Sequence, residues 1–403
     1  MERYLAVAAI LMASSTVAPA QSSWLTVGEN AFVQLRQDGQ HFTVRANRVA
    51  KLASQGAAEN VYVLEVAARD VPKIAGTLHR KLRHCGGFMY HAGQAEAMRL
   101  LEDAPPAPTW TRPSYVIANQ ATVAPLLAQM QEARIAQTII KLSSFVNRYY
   151  TSGHGIEASN WLRETWKEIA TGNPQIKVTQ FTHANYGQQS VIATIEGSDK
   201  ASEVVVLGAH LDSINITIER AVALAPGADD DASGIAGLSE VLRALVSSNY
   251  RPRRTIKLIG YAAEEVGLRG SQDIASDFKK NKVDVVGVLQ LDMTNYKGSG
   301  KDIYLIADYT DAAQNQFLTK LLAAYLPTVT VGTDRCGYAC SDHAAWNAHG
   351  FATSMPFEAT LGQDNPFIHG KNDTYANTGN QAAHALKFTR MAAAFAVELG
   401  SEP

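Results

Sequence analysis

The chain has 403 residues, 46% hydrophobic and 18% charged, with a formal net charge of −2. That length and apolar share support one large buried core with smaller additions. The near-neutral balance, with no basic tract, excludes nucleic acid as the partner.

In chain order the first signal is a short cationic start (residues 1–3), an apolar stretch (4–12) and Ala18-Pro19-Ala20, the small-x-small form of a signal-peptidase site. Residues 1–20 therefore read as a cleaved secretory signal. A membrane anchor would need about 20 apolar residues. The expectation is a secreted, extracellular protein that meets the periplasm only in transit and has no membrane attachment once the signal is gone. Residues 21–105 hold two alternating, strand-like runs (31–36 and 60–68) and then an amphipathic stretch, together a small α+β propeptide. The proline-rich run 103–109 cannot hold a helix and reads as a linker. Signal, small module, linker and large domain is the layout of a zymogen. A module that stays attached is the plainer alternative.

Residues 106–403 form the large, catalytic domain, in which helices and strands alternate. The spacing predicts a helix over 156–170, with Leu162, Trp166 and Ile169 able to share a face. Runs 178–182 and 190–195 alternate apolar with polar, as an antiparallel pair at a sheet edge does. The nearly continuous apolar runs 204–208, 255–261 and 285–291 suit strands buried on both faces. Helix patterns at 234–246 and 271–280 separate them, and a strand at 303–307 and long helices at 312–325 and 381–399 follow. The alternation predicts an α/β fold, a mostly parallel, doubly wound sheet with helices on both faces.

Chemistry-bearing residues fall just past the ends of those strands. His210 follows the run 204–208, Glu264 and Glu265 follow 255–261, and Asp292 follows 285–291. In an open α/β sheet the ligand crevice lies outside the carboxyl ends of the strands. A lone strand-end histidine is more often a hydrogen-bonded core residue, but Asp212 stands two residues beyond His210. Such a carboxylate takes the second N–H of a metal-bound imidazole. Asp229, Asp230 and Asp231 precede a helix, where acids cap. Three in a row repel one another without a cation, so Asp230 reads as a metal bridge and Asp229 and Asp231 as its supports. Of the adjacent Glu264 and Glu265, one can bind metal while the other faces substrate, since acids abutting a buried strand need partners. His369 lies in an irregular loop, with His343 and His349 as rivals for the last ligand position. His41, His79, His84 and His91 fall in the propeptide and are unavailable to a mature site. Two imidazoles, three carboxylates and one carboxylate left over are the inventory of a two-zinc hydrolase. Cys336 and Cys340 read as a local disulfide in an oxidising compartment or, with His343, as part of a metal site in a reducing one, while Cys85 stands alone.

On these residues the chain resembles secreted bacterial leucyl aminopeptidases of the M28 zinc metallopeptidase family, from about Ala118 through the C-terminal helix. The motifs that carry the likeness are GAHLDS, APGADDDASG, YAAEEVGLRGSQD, LQLDMTNYKG, CGYACSDH and NPFIH. The resemblance implies a zinc-exopeptidase-like fold and two Zn2+ per chain, one on His210 and Asp292, the other on Glu265 and His369, with Asp230 bridging. It implies Glu264 as general base, a bridging water as nucleophile, Asp212 behind His210, Tyr338 on the tetrahedral intermediate and a Cys336–Cys340 disulfide. Met293, Phe357, Leu361 and Ile368 would line an apolar pocket for a leucine-like side chain. The substrates implied are peptides with a free N-terminus, cleaved by a monomer. The competing expectations are a single-zinc glutaminyl-cyclase-like enzyme, an M20-like deacylase, or a non-catalytic binding module on the same fold.

Overall fold

The structure, a computed structural model, describes residues 22–51, 58–82, 86–102, 112–217 and 220–402. The expected signal (1–20), Cys85 and the expected linker (103–109) lie outside the described residues.

The N-terminal module runs β1 (Ser22–Gly28), α1 (Glu29–Gln37), β2 (Thr43–Lys51), β3 (Ala58–Ala67), α2 (Val71–Leu82), β4 (Phe88–His91) and α3 (Gln94–Arg99). Its strands form one antiparallel sheet in the order β2-β3-β1-β4, so the module is α+β as expected. The strand expected over 31–36 is instead part of α1, where Ala31 and Leu35, one turn apart, are buried. A run this short satisfies both the two-residue and the helical period, and packing chose the helix. β1 lies inside the sheet, where Leu25 pairs with Leu64 on one side and Tyr90 on the other.

The large domain continues with α4 (Gln120–Ala128), α5 (Glu132–Ser143), α6 (Gly153–Ile169), β5 (Ile176–Phe181), β6 (Ser190–Ile195), β7 (Lys200–His210), α7 (Ala232–Ser247), β8 (Arg254–Tyr261), α8 (Arg269–Lys280) and β9 (Asp284–Gln290). It ends with β10 (Ile303–Ile306), α9 (Ala312–Tyr325), β11 (Val331–Asp334), α10 (His343–Ala348), β12 (Thr353–Ser354), β13 (Pro356–Phe357) and α11 (Ala383–Ser401). Six strands form the main sheet in the order β12-β9-β7-β8-β6-β5. The first four run parallel, and β6 and β5 close one side as the expected antiparallel pair. β10 lies apart, between β11 and β13 in a small second sheet.

The apolar runs are buried on both faces because successive side chains alternate. Val205, Leu207 and Ala209 of β7 pack with Ile235 and Leu238 of α7 and Phe388 and Phe395 of α11. Val204 and Val206 face the other way, onto Ile274 and Phe278 of α8 and Trp346 of α10. The chain leaves β7 through α7 to build β8 on one side, then returns through α8 to build β9 on the other. Strand order therefore reverses at β7, and the crevice of the sheet opens at its carboxyl end.

The module is not a separate bead. Its core residues Leu25, Val27, Leu64, Ile74 and Leu78 join Tyr149, Tyr150, Ile214, Ala263 and Val266 of the large domain in one cluster. A second cluster joins Val61, Val63 and Met89 to Leu268, Tyr309 and Tyr338. Each buried side chain of this size contributes roughly 1.5–3 kcal/mol over exposure, enough in sum to seat the module firmly.

Candidate metal centre and active site

Register brings the site together. β7 pairs with β8 so that His210 lies beside Tyr261, and with β9 so that Gly208 lies beside Gln290. His210, Glu264, Glu265 and Asp292 thus leave three adjacent strands at one edge. The loop into α7 adds the three aspartates, and a loop before α11 adds His369.

The five expected ligands converge. Asp230 turns one carboxylate oxygen to each imidazole: Oδ1 is 2.9 Å from His210 Nε2, and Oδ2 is 3.1 Å from His369 Nε2. His210 Nε2 also lies 3.5 Å from Asp292 Oδ1, and His369 Nε2 lies 3.3 Å from Glu265 Oε2. Each is at most 5% exposed. Neighbouring ligands on a tetrahedral zinc stand roughly 3.3–3.5 Å apart. The pairs with Asp292 and Glu265 match that spacing, and the two with Asp230 are a little tighter. Asp231 also falls within 4.8 Å of His210 and Asp292, but both its oxygens already accept main-chain N–H groups, so Asp230 is the better bridge.

The supporting acids tie the loops into one frame. Asp231 accepts from His210 N (3.0 Å), caps α7 through Gly234 N (2.9 Å) and accepts from Met293 N (3.3 Å). Asp212 accepts from Glu264 N (2.9 Å) and Glu265 N (3.2 Å). His210 Nδ1 lies 3.2 Å from the Asp212 carbonyl and 3.6 Å from its carboxylate. One acid therefore orients both an imidazole and the glutamate pair. Asp229 accepts from Asn295 N, and Asp373 accepts from the N–H groups of Asp229 and Asp230. The buried Arg148 guanidinium donates to the carbonyls of Leu211, Pro226, Gly227 and Leu142. Neither Arg148 nor Asp373 was expected from sequence, because nothing local marks an arginine or aspartate as a brace for a distant loop. Ala263, Met293 and His369 have left-handed backbone (φ 56–58°), a strained conformation that surrounding structure must hold.

So many buried acids oppose one another. Burial above all pushes Asp229 up to about 6, Glu265 and Asp342 to about 7, and Asp373 to about 8. Glu264 rises well above the usual carboxylate range, through burial and then repulsion from Glu265 and Asp342, with His210 opposing. Against burial, Glu265 and Asp230 lift His369 to about 10, and the two imidazoles hold Asp230 well below its usual range. A cluster short of positive charge is one that divalent cations relieve. The donor set, two imidazoles and three carboxylates, suits zinc.

Glu264 is buried, and neither carboxylate oxygen has a hydrogen-bond partner among the described residues. Tyr338 is committed elsewhere: its hydroxyl donates to Thr26 of the module (2.7 Å), and Thr26 in turn meets His91 (2.8 Å). Cys336 and Cys340 form a disulfide with Cα atoms 6.0 Å apart. Their loop walls a small cavity of about 20 Å³ beside Asp292, lined by Met293, Ile306, Met355, Phe357 and Leu361. Ile368 packs against the same cluster. Ile306 and Met355 escaped the sequence because an apolar residue next to a strand looks like core. His343 bonds the Asp308 carbonyl (3.1 Å) and His349 that of Ala345 (2.8 Å), both away from His369. The histidine that does arrive is His79, set aside with the module. Its Nδ1 is 3.5 Å from Glu265 Oε2, and its ring stacks on His369 at 4.3 Å.

A profile described as peptidase family M28 matches residues 190–395. A probable aminopeptidase of Saccharomyces cerevisiae is 31% identical over 354 residues, 85% of this chain and 93% of that protein. Leucine aminopeptidase 1 of Coccidioides posadasii is 36% identical over 297 residues, 70% of this chain and 75% of its own. Among solved structures, the LapA aminopeptidase of Legionella pneumophila superposes with a TM-score of 0.79 at 28% identity, covering 95% of this chain and 99% of its own. That coverage takes in the N-terminal module as well as the large domain.

Proposed function

Since the chain belongs to peptidase family M28 and is an aminopeptidase, we propose that it uses two zinc ions to remove a hydrophobic, leucine-like residue from the free N-terminus of a peptide. The observation that carries this reading is Asp230, which offers its two oxygens to two different imidazoles. His210 and Asp292 would hold one ion, Glu265 and His369 the other, and Asp230 both. Divalent ions in such a pair lower the pKa of a shared water and polarise a carbonyl.

The chain's own residues do the rest. Glu264, braced through its main chain by Asp212 and with both oxygens open, accepts the proton of the attacking water and delivers it to the departing amine. Tyr338, once its hydroxyl leaves Thr26, donates to the charge that develops on the carbonyl oxygen, a contribution of roughly 2.7–4 kcal/mol for one donor. The cavity beside Asp292 takes the first side chain, and Met293 and Met355 give it an adaptable wall. Residues 1–20 serve as signal, 21–105 as propeptide and 106–403 as the catalytic domain. With the module in place the ligands and Glu264 are buried and Tyr338 is engaged, which supports a latent, secreted precursor. The Cys336–Cys340 disulfide suits an oxidising compartment.

Metal analysis tests the centre. The full chain is expected to hold two zinc ions and Asp230→Ala fewer than two; undiminished zinc in the variant removes the bridge. The processed enzyme is expected to cleave leucyl anilide and to refuse its N-acetylated form.

A further inference from the structure

We propose that His79, on the N-terminal module, is an internal ligand to the metal ion held by Glu265 and His369, filling a coordination position that would otherwise be open to substrate. The proposal rests on the two-zinc reading and adds to it the chemistry by which the module silences the site.

Three observations place His79 there. Its Nδ1 stands 3.5 Å from Glu265 Oε2, the spacing that His210 keeps from Asp292 in the other half of the centre. Donor atoms of His79, Glu265 and His369 all lie within 4.8 Å of one another, and the three residues are buried. The His79 and His369 rings stack at 20°, so two imidazoles flank one carboxylate as neighbouring ligands of a single ion can.

The rest of the module is built to hold that ring in place. In α2, Val71 and every residue from Ile74 through His79 are buried, unlike a surface helix with one wet face. Gly76, one turn before His79, lies so close to Arg220 that an added Cβ would strike the guanidinium. A mid-helix glycine costs about 0.5–1 kcal/mol relative to alanine, and here it permits the close approach. The module also grips both loops that frame the site. Tyr90 N donates to Gly267 O (3.0 Å) just beyond the glutamate pair, and Gly87 N donates to Ala339 O (3.2 Å) inside the disulfide loop. The plainer reading, a core histidine placed by chance, leaves unexplained why its nitrogen meets a carboxylate that is itself a ligand candidate.

Co2+ bound to the full chain gives the test, with His79→Gln and His79→Ala for comparison. Substitution is expected to change the visible Co2+ spectrum and to speed the loss of one of two ions to a chelator by tenfold or more. Unchanged spectra and loss rates overturn the ligand role and leave the two-metal reading standing. A wild-type chain that binds fewer than two ions overturns the two-metal reading itself. Should both variants misfold, X-ray absorption on the wild-type zinc protein decides by counting imidazoles. Three shared by two ions supports the proposal, and two overturns it.

Discussion

Glu264 and Glu265 are chemical twins separated by one peptide bond, yet they face different partners. Asp212 accepts both of their N–H groups and fixes the loop, which leaves Glu265 beside His369 and Glu264 with no hydrogen-bond partner for its oxygens among the described residues. Their different surroundings are therefore set by backbone geometry, not by side-chain type. In the proposed mechanism, Glu264→Gln keeps the shape and removes the proton acceptor. Turnover is expected to fall by roughly 10²–10⁴-fold, with both metal ions retained in the same preparation; a variant that still turns over normally is not missing its base. The residue inventory was legible because histidines and acids at apolar strand ends are locally improbable. The pairing of each imidazole with its own carboxylate was implied by resemblance, and its geometry became visible only in the folded loops.

At the scale of elements, the centre depends on how the loop between β7 and α7 is held. Arg148, between α5 and α6, satisfies four carbonyls from Leu142, Leu211, Pro226 and Gly227. Arg148→Met fills much of the space and orphans the Leu211 and Pro226 carbonyls, while Gly227 and Leu142 keep main-chain donors in Ala232 and Phe145; each orphaned acceptor costs about 1–3 kcal/mol when buried unpaired. The expected cost is about 2 kcal/mol or more, read as a lowered urea midpoint with weaker metal retention; a midpoint unmoved would mean the loop is held otherwise. The strand–helix pattern of the large domain was readable because buried parallel strands are continuous apolar runs and their helices repeat at 3.6 residues. The module was harder. Its 31–36 run fits two periods at once, and only packing of Ala31 and Leu35 decided for α1.

The whole molecule joins a module to a domain through shared cores, and the site lies beneath the joint. Cleavage within 103–109 followed by release of the module is expected to raise turnover on leucyl anilide. Equal activity before and after release would end the zymogen reading. Stability should carry its own pH signature. Burial holds both His343 and His384 down to about 4. Unfolded histidine titrates near 6.5, so between about 6.5 and 4 the unfolded chain binds more protons and the folded state loses ground as pH falls. Denaturant titrations across that window should show the decline, and His343→Leu should make it shallower.

By itself the sequence determined which acids and which histidine stand at the ends of the apolar strands, and the α/β class. Those follow from local patterns: apolar runs, helical spacing and acids crowded where only a cation makes them tolerable. Only the tertiary structure decided that Tyr338 hands its hydroxyl to Thr26 and that His79 reaches Glu265. Those contacts join segments far apart in the chain. Nothing local distinguishes a histidine on the buried side of a helix from ordinary core until the module docks and shows what that side covers.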